Sequence, residues 1–164
     1  MFRLISYIKF LFSATNQHGV HSPFVYDYVT KCLYKKGYLK LPIILRILVK
    51  SITYFKYKSI RLLRPNEALE NIISSNCPEI SVTNSNADII FGGIADFLSE
   101  EININQLQND TIVLLYGVYR DRVSSNIWKR LKKLDHVRVT IDLYYCGVIF
   151  FRKEQVKEHF KIRI

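Results

Sequence analysis

Cysteine is scarce in this chain and poorly placed for any cross-linked framework. Its 164 residues include only Cys32, Cys77 and Cys146, odd in number, far apart and without a Cys-x-x-Cys pair. That pattern fits buried thiols in a reducing cytoplasm and argues against both a disulfide scaffold and a zinc site. His18 and His21 stand three apart with no acid beside them and no second pair, so no metal is expected. Glycine is sparse too. Its one adjacent pair, Gly92-Gly93, is too short for a phosphate-binding turn and is expected to form a tight strand-to-helix turn. No stretch of about 18 apolar residues exists, which argues against a membrane-spanning helix. Internal repeats, low-complexity stretches and recognisable nucleic-acid motifs are also missing.

What is present describes one globular domain: 49% apolar and 23% charged residues, enough for a real core. Met1 to Phe12 has the apolar look of a signal peptide, but Lys9 splits the run and no clear small-x-small site follows. The segment is expected to be an amphipathic helix packed on the domain, with an interfacial membrane helix or a targeting segment as alternatives. The net charge of +10 hides a segregation. Lys31 to Arg64 holds ten bases and no acid, Pro65 to Tyr119 eight acids and no base, and Arg120 onward twelve bases against five acids. The first block, with Arg46, Lys50, Lys56 and Lys58, suits nucleic acid or an acidic membrane. The competing expectation, which we favour, is that these bases meet the acidic middle segment within the fold or are solvated.

A pass along the chain predicts helices over Phe2–Ser13, from Ser22-Pro23 to Tyr34 with Ser22 as cap, and over Pro42–Tyr54. A strand at Ser59–Leu63 follows, then a helix from Pro65 through Ile73 with Glu67 and Glu70 in its early turns. Ser74 to Asn86 reads as a loop. Strands at Ala87–Phe91 and Thr111–Tyr116 alternate with helices within Ala95–Leu107 and over Arg122–Leu134. Val137–Leu143 and Val148–Phe151 are too close for a crossover and must pair antiparallel. His136 is expected near a strand start and His159 in a charged final helix, both at the surface. The expected fold is α/β, a Rossmann-like three-layer sandwich with a mostly parallel sheet and a C-terminal antiparallel hairpin. Residues 1–56 form an N-terminal helical extension packed on residues 57–164.

Two segments are specific enough to carry a resemblance: Asn16-Gln-His-Gly-Val-His-Ser-Pro-Phe-Val25, and Thr140-Ile-Asp142 with Gly147, Phe150-Phe-Arg-Lys-Glu-Gln155 and Lys157-Glu-His-Phe160. In these the chain resembles class I S-adenosylmethionine-dependent methyltransferases of a group typical of Bacteroidota. The resemblance implies a Rossmann-like sheet whose final strand is antiparallel. It also implies a cofactor site built from a strand ending in an acid, a glycine-rich turn and an acid on the second strand for the ribose hydroxyls.

Between its two ends the chain departs from that family, whose typical members are longer. Leu62 falls where the first acid is expected, Arg64 at the first glycine and Ala68 at a later one. A block between Leu63 and Ala87 that would hold the second and third strands of the sheet is expected to be missing. Phe91-Gly-Gly93 and Tyr116-Gly-Val-Tyr119 replace the acids after later strands. These departures imply a shortened methyltransferase-like pseudoenzyme, with no catalytic residues and no cofactor expected, acting as an interaction module or standing as a decayed relative. The alternative is an active enzyme holding S-adenosylmethionine in a rearranged pocket of Arg64, Asn66, Gly92, Gly93 and Tyr116. With two strands lost, the first strand is expected to lie at an open sheet edge and to meet a second copy or a protein partner there.

Overall fold

The computed structural model describes residues 1–100 and 102–164. Helix α1, Phe2–Ser13, leads into a single tight turn at Gln17–Gly19, where the Asn16 side chain accepts from the His18 N–H at 3.1 Å. Helix α2, Pro23–Tyr28, begins where Ser22 accepts from the Val25 N–H, with Pro23 in the first turn where no donor is needed. It widens over Val29–Leu33 into a π turn that buries Val29, Cys32 and Leu33. Helix α3, Ile43–Phe55, buries Ile47, Leu48, Val49, Ser51 and Ile52 and stops at Lys56 in a left-handed conformation.

The strands are β1 (Ser59–Leu62), β2 (Ser81–Val82), β3 (Ile89–Gly93), β4 (Ile112–Tyr116), β5 (Val139–Asp142), β6 (Cys146–Phe150) and β7 (Glu158–Lys161). They form one sheet in the order β2-β1-β3-β4-β6-β5-β7, parallel throughout except for β6, which runs against both its neighbours. Three further helices connect them: α4 (Glu67–Asn76), α5 (Ile94–Ser99) and α6 (Arg122–Lys133).

Alternation along the strands sends apolar side chains to both faces. Ile60, Ile89, Phe91, Ile112 and Leu114 pack with Tyr28, Leu48 and Ile52 of the N-terminal helices and Ile73 of α4. Ile90, Val113, Leu115 and Ile149 pack with Ile94 and Phe97 of α5 and Trp128 and Leu131 of α6. The result is the expected Rossmann-like three-layer sandwich with its antiparallel hairpin, and residues 1–56 share a core with the sheet rather than standing apart.

Five expectations are corrected. Gly92 and Gly93 do not form a turn but end β3, paired with Leu115 and Tyr116 of β4. The Ser74–Asn86 loop contains the end of α4 and strand β2, whose N–H groups follow the ladder of β1: Ser81 N–H donates to Lys58 O at 2.8 Å and Thr83 N–H to Ile60 O at 2.9 Å. Strand β1 therefore lies inside the sheet, and a partner contact at its edge has no site. The open edge passes to β2, two residues long, too short to template another chain readily. His159 lies on β7 rather than in a final helix, because residues 158–161 supply the partner that the outer edge of β5 requires. The helix expected within Ala95–Leu107 is confined to Ile94–Ser99, and Glu101 of that stretch lies outside the described residues.

Gly147 on β6 shows how tightly the second layer is packed: a Cβ there would sit 2.4 Å from the Trp128 ring. Gly147→Ala should destabilise the fold by about 1–3 kcal/mol through overpacking. Urea unfolding checks this, and adding Trp128→Leu should cost less than the sum of the two single changes, since the substitutions share one contact.

Candidate functional site

In an open parallel sheet, ligands bind beyond the carboxyl ends of the strands, where successive connections diverge. Here that point lies between β1 and β3, because the chain leaves β1 toward β2 and returns on the other side as β3. Three of the five residues expected in a pocket meet there. Arg64, just past β1, reaches across to α5, its Nε 2.7 Å from Asp96 Oδ1. Asp96 Oδ2 and Tyr116 Cε2 fall 2.6 and 3.3 Å from where a Cβ on Gly93 would be, so the space beside Gly93 is already filled. The Arg64 side chain is largely exposed and folds over this cleft, while the Asp96 carboxylate beneath it is mostly buried. A second bridge, Arg61 Nη2 to Glu100 Oε2 at 2.9 Å, joins β1 to the chain just past α5.

The other two residues are elsewhere. Asn66 caps α4, accepting from the Leu69 N–H at 2.9 Å. Gly92 faces the opposite side of the sheet, where a Cβ would meet Leu63 at 2.5 Å. Leu62 is buried in the core and β2 runs out through Val82 and Thr83, so neither strand ends in an acid. Sequence reasoning missed Asp96, whose only signal is an acid in the first turn after a strand.

A second polar cluster lies at the same edge of the sheet, at the end of β5. Asp142 is 1% exposed. One carboxylate oxygen accepts from the Tyr119 hydroxyl at 2.5 Å, the other from the Tyr144 N–H at 3.0 Å. Burial lifts the Asp142 carboxyl above its ordinary range, against the pull of those two donors and of the Lys132 and Lys161 charges. Burial, followed by the nearby carboxylate, drives the Tyr119 phenol far upward, so it remains a donor. The Tyr119 and Tyr144 rings stack at 5.2 Å, Phe10 of α1 packs on both, and the Tyr144 hydroxyl donates to Arg3 O at 2.8 Å. With a donor on each oxygen and α1 packed on the tyrosines around it, this carboxylate anchors structure rather than facing a substrate.

The basic residues line more than one cavity. Arg46 donates to Leu41 O at 3.3 Å and Lys50 to Leu33 O at 2.9 Å, beside a cavity of about 270 Å³ that they line with Lys35 and Lys36. The Arg46 Nε is buried without a partner. Lys56 and Lys58 line a different cavity of about 370 Å³, and Lys58 pairs with Glu79. His21 is exposed and His18 contacts Gln17; among the described residues no three His, Cys, Asp or Glu side chains gather as metal ligands. No family model, curated protein or solved structure matches the chain.

The folded pKa of Asp142 lies above its ordinary value, so its favourable contribution is complete below about pH 4 and declines as pH rises through the folded value. Tyr119→Phe removes a donor that holds the ionised form. Its loss should be about 1–3 kcal/mol at neutral pH and smaller below about pH 4. Unfolding at both pH values checks this, and an equal loss at both would show that the hydroxyl does not act through the carboxylate.

Proposed function

We propose that this chain is a class I methyltransferase-like pseudoenzyme that does not hold S-adenosylmethionine in the ordinary way and acts as an interaction module. The observation that supports this is the use of the switch-point residues within the fold. Arg64 closes onto Asp96, Asp96 and Tyr116 fill the space beside Gly93, and the Asn66 side chain caps α4. A nucleoside cofactor needs backbone amides that it can approach closely and an acid for its ribose. Neither a glycine-rich turn nor such an acid stands at the end of β1 or β2.

The residues bordering the two segments that carry the resemblance meet in space: Thr15 N–H donates to Lys161 O at 2.9 Å and Arg163 N–H to Thr15 O at 3.0 Å. Three buried free thiols support a reducing compartment, and the cytoplasm belongs to this reading. No helix among the described residues is long and apolar enough to cross a membrane.

Thermal unfolding with and without millimolar S-adenosylmethionine or S-adenosylhomocysteine tests the proposal. Ligand at about 100 times its dissociation constant adds about 2.7 kcal/mol of stability, a plain shift in melting temperature. The expected result is no shift. A shift that disappears in Gly93→Val would overturn the proposal and favour an active enzyme with a rearranged pocket around Arg64, Gly93 and Tyr116.

A further inference from the structure

Helix α1 presents an apolar stripe outward. It sits on the domain through Phe10, with Tyr7 and Ser6 half-buried beside it. Leu4, Ile5, Ile8, Leu11 and Phe12 follow helical spacing on the opposite side and are 64%, 45%, 46%, 39% and 89% exposed. No charged side chain interrupts this stripe; Lys9 borders it and Arg3 lies toward the side of Phe10, both exposed. The first acid in the chain is Asp27, and Lys161 adds a further positive charge at the end of the helix, its Nζ 2.9 Å from Ser13 Oγ.

We propose that α1 is an in-plane anchor that seats this protein on an anionic lipid surface, with Leu4, Ile8, Leu11 and Phe12 among the acyl chains and Arg3 and Lys9 at the headgroups. An outward apolar stripe with basic side chains beside it is an arrangement that binds the boundary between headgroup and acyl chain. Charge selects this occupant over the others. A second copy seated on the same stripe would bring Arg3, Lys9 and Lys161 of each chain toward their equivalents. The stripe is also small: a 12-residue helix is roughly 18 Å long, and its outward face falls well short of the ~800 Å² per partner of a stable dimer. Lipid needs no such area, because each inserted side chain contributes separately. The inference is independent of the methyltransferase-like reading, since α1 docks on the Tyr119–Tyr144 stack and not on the β1–β3 cleft.

Flotation of the full chain with vesicles tests it. The chain should float with phosphatidylglycerol–phosphatidylcholine vesicles and far less with phosphatidylcholine alone, and binding should weaken in about 1 M salt, where the Debye length is about 3 Å. Leu4→Ser, Ile8→Ser and Phe12→Ser together should reduce binding about 10-fold or more while leaving the melting temperature unchanged, because these side chains are exposed. Lys35→Gln with Lys36→Gln should leave binding intact, separating α1 from the lysine-rimmed cavity. Failure to float, or unchanged binding by the triple variant, would overturn the proposal. So would a dimer in sedimentation equilibrium that the triple variant abolishes, which would make a second copy the occupant.

Discussion

Strand β6 is the element on which the rest depends. All five of its residues are buried, and it is hydrogen-bonded to β4 on one side and β5 on the other. Backbone groups so enclosed have no water to turn to, so the two ladders must satisfy them. The reversal between β5 and β6 is short because an antiparallel neighbour needs only a tight connection, whereas a parallel one needs a crossover of a dozen residues or more. That reversal carries Asp142 and Tyr144 to the carboxyl edge of the sheet, where Tyr144 takes a positive φ and receives α1. On the same strand, Gly147 makes room for Trp128 and so sets the seat of α6.

The segregation of charge along the chain is partly resolved in three dimensions. Lys58, Arg61 and Arg64 from the basic block pair with Glu79, Glu100 and Asp96 from the acidic segment, and Arg152 pairs with Asp110. The exposed Lys58–Glu79 pair contributes little, and in the partly buried pairs desolvation offsets much of the attraction, so their effect lies in arrangement more than in stability. They hold α5 and β2 against β1 while the apolar layers supply the driving force. The uncompensated charge is left elsewhere, on α1, on Lys35 and Lys36, and on α6.

Patterns confined to a few neighbouring residues were legible. Ser22-Pro23 announced the start of a helix, and the short interval between Leu143 and Val148 required antiparallel pairing. Strand β2 was not legible, because Ser81 and Val82 are exposed and carry no apolar signal; only the unpaired edge of β1 makes them a strand. Strand β7 was obscured by its charges, although Phe160, Ile162 and Ile164 alternate with Lys161 and Arg163 as a strand requires. The glycine pair read as a turn because glycine usually punctuates; here it admits Leu63 on one face and Asp96 with Tyr116 on the other. Arg64, Gly93 and Tyr116 could be placed together because each lies at or just past a strand end. The Tyr119–Asp142 bond joins residues 23 apart that share no local pattern.

The bonds that fix α1 are among the most distant in the chain. Lys161 to Ser13 spans 148 residues, and Tyr144 to Arg3 spans 141. Closing such loops is entropically unfavourable and comes only after nearer contacts have shortened the path. On the ribosome the order is stricter still: Tyr144 and Lys161 emerge 141 and 148 residues after the groups of α1 that they hold. Until they do, α1 has no seat, and both of its apolar faces remain open to whatever surface or chaperone lies near the nascent chain.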